Sequence, residues 1–157
     1  MLRIGKLTDY ATLILATLAA DRSRLQNAAS LAQRTHIAAP TVSKLLKQLH
    51  RAGLVNSTRG THGGYQLALD PESISAATIL DALEGPVALT ECSAGVGHCG
   101  IEHTCSVGRG WQRLNLAIRR SLGEVSLAQL AGLDNQTLLM PIERELKQMT
   151  RATKVPA

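Results

Sequence analysis

Residues 40–69 read PTVSKLLKQLHRAGLVNSTRGTHGGYQLAL, and this stretch decides the fold. Its first half has the pattern of a helix. Pro40 suits a first turn, where the backbone N–H has no intrahelical partner. Val42, Leu45, Leu46 and Leu49 follow at i, i+3, i+4, i+7 and form one apolar stripe. Thr41, Lys44, Lys47, Gln48 and Arg51 lie off that stripe, and Gly53 suits a left-handed cap. In the second half, Leu54 and Val55 open an extended segment and 56–64 are turn formers. Tyr65-Gln66-Leu67-Ala68-Leu69 then alternates like a returning strand. The pattern predicts a β-hairpin whose glycine-rich tip carries Arg59.

Upstream, Asn27 to Thr35 reads as a helix with Ala28, Leu31, Ala32 and Thr35 on one face, and His36-Ile37-Ala38 as a tight turn. Asp9 to Ala20 reads as a further helix, with Thr8 or Asp9 as N-cap and Tyr10, Leu13, Ile14, Thr17 and Leu18 at helical spacing. Downstream, Ser75 to Leu83 is a short helix ending at Gly85-Pro86. Helix, helix, tight turn, helix, hairpin is the order of a winged helix-turn-helix, which defines a DNA-binding domain over 1–86. Residues 87–105 read as an irregular cysteine-rich loop. A long helix over about 106–125 follows, with Trp111, Leu114, Ile118, Leu122 and Val125 as its stripe. Ser126–Ala131 is a short helical turn that completes the 106–132 segment. In the extension 133–157, Leu138, Leu139, Ile142, Leu146 and Met149 fit an amphipathic helix before a frayed end. The fold class is therefore mainly α with a small β-hairpin wing.

Composition agrees. One Trp, two Tyr and no Phe leave an aliphatic core, which favours packed helices, and too few rings to stack single-stranded bases. The net charge of +5 is unevenly placed. Residues 1–70 hold nine Lys and Arg against three Asp and Glu, and residues 71–157 hold eight against nine. The N-terminal half is thus the one suited to a polyanion. Arg3 and Lys6 ahead of the uncharged run 11–20 resemble a secretory leader. Asp9, Thr12 and Thr17 break that pattern, and the run fits the first helix. A cytoplasmic protein with no membrane association is expected.

In a duplex complex the third helix would lie in the major groove. Thr41 and Lys44 would approach bases, and Lys47 and Arg51 phosphates, with Pro40 and Gln48 beside them. Arg59 between glycines, with Gly63 and Gly64 behind it, suits a narrow minor groove. No paired carboxylates, nucleophile–base motif or phosphate loop points to an enzyme, and no small-molecule substrate is expected.

All three cysteines fall between 92 and 105: Cys92, six residues, Cys99, five residues, Cys105. An odd, tight cluster argues against a secreted disulfide framework, and the spacing lacks the paired CxxC of structural zinc sites. Three thiolates among Gly95, Gly97 and Gly100 suit a 2Fe–2S cluster with one non-Cys ligand, and such a cluster would be labile. A thiol switch without a cluster and an electron carrier are the rival readings. Iron content separates the first, and DNA affinity the second.

Thr8-Asp9-Tyr10-Ala11, Leu49-His50-Arg51-Ala52-Gly53-Leu54-Val55 and Arg59-Gly60-x-x-Gly63-Gly64-Tyr65-x-Leu67, together with the three-Cys loop, resemble the Rrf2 family of bacterial regulators over roughly 1–132. Within it the chain is most similar to regulators of the SUF cluster-assembly operon. The resemblance implies a homodimer packed through the 106–125 helix, reading a pseudo-palindromic operator. It implies repression of cluster-assembly genes by the cluster-loaded form; nitric oxide or redox state are alternative signals. One family branch supplies a His three residues after the third Cys, where this chain has Gly108. Another uses an acidic residue at the start of the first helix of the partner subunit, which matches Asp9. Asp9 of the partner subunit and His103 are the leading fourth-ligand candidates, with His98 and Glu102 behind them.

Overall fold

The computed structural model describes residues 4–60, 63–95 and 97–134. The extension residues from 135 onward, including Leu138 to Met149, and Thr61 and His62 at the hairpin tip, lie outside the described residues.

The chain runs α1 (Lys6–Ala19), α2 (Ala28–Thr35), α3 (Ala39–Arg51), β1 (Val55–Thr58) and β2 (Gly64–Leu67). A 3-10 turn (Pro71–Ser73), α4 (Ala76–Leu83), α5 (Glu91–Ala94), α6 (Gly108–Glu124) and α7 (Leu127–Leu130) follow. The two strands pair antiparallel, with Val55 opposite Leu67 and Thr58 opposite Gly64. This is the helical fold with a hairpin wing that the sequence predicts.

The core is aliphatic. Ile14, Leu15 and Leu18 of α1, Leu31 of α2, and Val42, Leu45, Leu46 and Leu49 of α3 are fully buried together. Removing such side chains from water is the main driving term, about 1.5–3 kcal/mol for each large one. α3 ends in a Schellman cap. Leu54 N–H donates to Leu49 O at 2.9 Å and Gly53 N–H to His50 O at 3.0 Å, with Gly53 at φ +74°. That cap turns the chain directly into β1. His50 Nδ1–H steadies the corner by donating to Val55 O at 2.9 Å.

Several boundaries differ from the sequence reading. α1 starts at Lys6, and neither Thr8 nor Asp9 caps it. Gly5 is the N-cap, and the Glu84 carboxylate from the end of α4 accepts Gly5 N–H at 2.9 Å and the Thr8 hydroxyl. A cap supplied from 79 residues away leaves no local signature. The buried face of α1 is Ala11, Ile14, Leu15, Leu18 and Ala19, and Leu13 is exposed. The helix carries apolar residues on its exposed side too, Leu7 and Leu13, so its period does not select one stripe. β2 ends at Leu67, and Leu69 is exposed beyond it. Residues 87–105 are not wholly irregular, since Cys92 sits on the one-turn helix α5. Val125 caps α6 from just past its end.

α7 returns to the main core. Ser126 and Gln129 form a reciprocal capping box, and Leu127 is fully buried among the α1–α4 side chains. Ala76 N–H donates to Val125 O and Leu127 N–H to Ile74 O, tying both ends of α7's approach to α4.

Candidate nucleic-acid interface and cysteine recess

On α3 the apolar stripe faces inward, so the remaining face is presented outward. Lys44, Lys47 and Arg51 are exposed, Thr41 is half-buried, and Pro40 stands exposed in the first turn. α2 leads into α3 through His36 at φ +56° and the buried Ile37. Gln48 differs from the other expected contacts. Its Oε1 is enclosed and has no hydrogen-bond partner among the described residues, so its carbonyl end is not offered outward.

The wing is braced by a third segment. Gln26 N–H donates to Tyr65 O at 3.0 Å, and Tyr65 N–H to Gln26 O at 2.9 Å. This contact explains Gly64, where a Cβ would stand 3.0 Å from Gln26 backbone atoms. At Gly63 a Cβ would meet Thr58 O at 2.2 Å, which the tight tip cannot accept. Both glycines thus have a folding role, whether or not they also approach DNA. Arg59 is exposed beside Gly60 at φ +114° and points the wing's charge outward. Gln26 itself is buried and accepts from the Arg34 guanidinium. Sequence patterning missed this brace because a single bridging residue has no period.

The second site lies against α6. Cys92 is buried; Cys99 and Cys105 are half-buried, and all three are free thiols. Cys92, Glu102, His103, Cys105, Gly108, Arg109 and Gln112 line a recess of about 250 Å³. A Cβ at Gly108 would stand 3.7 Å from Cys105 Sγ and 3.9 Å from Cys92 Sγ, so the glycine leaves both sulfurs uncrowded. The Thr90 hydroxyl contacts Cys92 Sγ at 3.1 Å. Cys99 is not in the lining. Gly97 N–H donates to the Glu102 carboxylate at 2.8 Å, and Gly95 and Gly97 carry φ +152° and +83°. Among the described residues no three His, Cys, Asp or Glu side chains are gathered into a ready-made metal group. His103 lies in the recess, whereas His98 is exposed beside Gly95. Asp9 does not line it; within one subunit it borders the groove formed with Ile4, Thr8, Leu122 and Val125.

α6 is bound to its own subunit by its polar face. Gln112 Nε2 donates to Cys92 O at 3.0 Å. The buried Asn115 accepts from Leu89 N–H at 3.2 Å and donates to Val87 O at 3.1 Å. Arg119 reaches Asp81 of α4 with both guanidinium nitrogens, at 3.2 and 2.8 Å. The apolar stripe is left outside: Trp111 is 44% exposed and Leu114 47%. Ile118 and Leu122 are half-buried at the edge of a groove of about 430 Å³ shared with Ile4, Leu80 and Val87. Among the described residues no helix is long and apolar enough to cross a membrane.

Comparisons with known proteins place this architecture. Residues 4–132 match the Rrf2 family model, described as an iron-dependent transcriptional regulator. The chain is 30% identical to the HTH-type transcriptional regulator NsrR of Bacillus subtilis, over 87% of this chain and 88% of that one. It is 32% identical to the HTH-type transcriptional regulator IscR of Vibrio cholerae, over 75% of this chain and 67% of that one. The solved structure of CymR, the global cysteine regulator of B. subtilis, superposes with a TM-score of 0.69 at 29% identity. That match covers 86% of this chain and all of the other. Members of this family bind DNA as transcriptional regulators and are not enzymes. The winged helix, its braced hairpin and the family match over 4–132 agree: the chain belongs to the Rrf2 family of transcriptional regulators.

Proposed function

We propose that this chain is a repressor of iron–sulfur cluster assembly genes. In this reading it acts as a homodimer on a pseudo-palindromic duplex and senses a labile 2Fe–2S cluster. Residues 1–86 read DNA, 87–105 hold the cluster and 106–132 join the subunits. Pro40, Thr41, Lys44, Lys47, Arg51 and Arg59 form the DNA-facing set, with Gly63 and Gly64 shaping the wing; Gln48, whose carbonyl end is enclosed, is left out of it. Trp111, Leu114, Ile118, Leu122 and Val125 pack against the second copy.

The observation that carries the sensing half is the placement of the thiols. Cys92 and Cys105 flank a glycine in a recess that also holds His103 and Glu102. Soft sulfur donors with one imidazole or carboxylate suit such a cluster. Cys92, Cys99 and Cys105 would hold it, with Asp9 of the partner subunit or His103 as fourth ligand. When bound, the cluster supplies an ordering centre that iron shortage or oxidants can remove.

The chain's own residues transmit the difference. Gln112 holds the Cys92 carbonyl, Asn115 holds 87 and 89, and Arg119 holds α4 through Asp81. Glu84 at the end of α4 holds the start of α1. A change of conformation at 92–105 therefore reaches the reading domain through hydrogen bonds already formed. A coupling of about 1–3 kcal/mol is enough for a several-fold to hundred-fold change in affinity.

Anaerobic purification with iron and sulfide quantification and a visible and circular-dichroism spectrum tests the cluster. Two irons and two sulfides per subunit, with visible absorption, are expected. Colourless, iron-free protein obtained under those conditions contradicts the cluster and leaves the DNA reading standing.

A further inference from the structure

Cys92 and Cys105 differ from Cys99 in sharing one glycine and one recess. Cys92 is the inner thiol, 8% exposed; Cys105 is the outer one, half-buried just ahead of α6. The other walls are the side chains of Glu102, His103, Arg109 and Gln112, so the recess offers polar partners to a small polar oxidant. The segment carrying Cys105 has few ties. Glu102 N–H donates to Cys99 O at 3.2 Å and Thr104 N–H to Ile101 O at 3.1 Å, both within the segment itself. Neither is made by Cys105 itself.

We infer that, in the metal-free chain, hydrogen peroxide converts Cys92 and Cys105 into a reversible intrachain disulfide and leaves Cys99 a thiol. Cys105 Sγ attacks one peroxide oxygen. The O–O bond breaks, the sulfur becomes a sulfenic acid and the other oxygen leaves as water. Cys92 Sγ then attacks that sulfur. The S–S bond forms, the S–O bond breaks, and the hydroxyl leaves as a second water with the remaining thiol proton. Two electrons pass from the sulfurs to the peroxide. The bond ties α5 to the approach of α6 and closes a ring that contains Cys99. The inference concerns the metal-free chain and rests on the thiol pair alone, so it stands whether or not the recess ever holds a cluster.

The test uses full-length protein stripped of metal with a chelator, treated with hydrogen peroxide, alkylated and mapped by peptide mass spectrometry. Two of the three thiols per chain are expected to be lost, in a Cys92–Cys105 bridge within one chain. Cys99 should be alkylated, and dithiothreitol should return all three thiols. Cys99→Ser should lose its two thiols at the wild-type rate to within about twofold, and Cys92→Ser should accumulate a dimedone-reactive sulfenic acid at Cys105. A bridge that includes Cys99, bridges between chains, or separate oxidation of all three thiols overturns the inference.

Discussion

α3 and α6 are both amphipathic and face opposite ways. α3 turns Val42, Leu45, Leu46 and Leu49 into its own core and offers Lys44, Lys47 and Arg51 to the outside. α6 turns Gln112, Asn115 and Arg119 toward its own subunit and leaves Trp111 and Leu114 outside. A helix of the first kind is complete in a single subunit and free to meet a polar partner. A helix of the second kind has used its polar face internally and keeps unburied apolar surface, which in water favours a second protein surface. In the proposed function, that difference separates DNA reading from subunit assembly. The cysteine recess is built on the polar side of α6, which in the proposed function couples it to both.

The contrast can be broken most strongly at the α3 core. Leu46→Ala should cost about 2–5 kcal/mol of unfolding free energy in denaturant titration, because the site is fully enclosed. A cost below about 1 kcal/mol would remove α3 from the core argument. On α6, Trp111→Glu should leave far-UV circular dichroism unchanged while shifting sedimentation from dimer to monomer. It should weaken operator binding by on the order of a hundredfold, since half-sites are read jointly. An unchanged dimer would mean that the exposed stripe is not the interface.

Asn115→Ala attacks the inward face of the same helix. Two backbone groups lose their partner, and about 1–3 kcal/mol of stability should go with them. The comparison is sharpened if Asn115→Ala lowers stability without changing the sedimenting mass of the assembly, the reverse of Trp111→Glu. On the reading side, Arg59→Ala should weaken operator affinity by about 1–3 kcal/mol with the fold intact, measured by fluorescence anisotropy. Lys47→Ala should have the smallest effect, lowering the slope of log affinity against log salt by about one. Equal slopes would take Lys47 off the phosphate list.

What was legible in the sequence follows from the same contrast. α3, its glycine cap and the hairpin could be read because burial there follows a local period and the turns need particular residues. The stripe of α6 could be read for the same reason, although only the structure shows that it faces away from the core. Glu84 capping α1, Gln26 bracing β2 and Asn115 bridging 87 and 89 left no trace, since each is a single polar residue acting across a long sequence separation. α5 escaped because one helical turn among glycines has too few residues to show a period. In the cysteine region the spacing suggested three thiolate ligands and could not tell them apart. The structure groups Cys92, Cys105 and His103 in one recess and places Cys99 outside its lining, a distinction that spacing does not carry.

The most direct measurement is an anaerobic binding titration that compares cluster-loaded and cluster-free protein. The duplex should be selected from random sequence by the loaded form. Tighter binding by the loaded dimer, by several-fold to about a hundredfold, is the predicted result. Equal or tighter binding by the cluster-free protein on the same duplex would contradict the proposal that the loaded form represses.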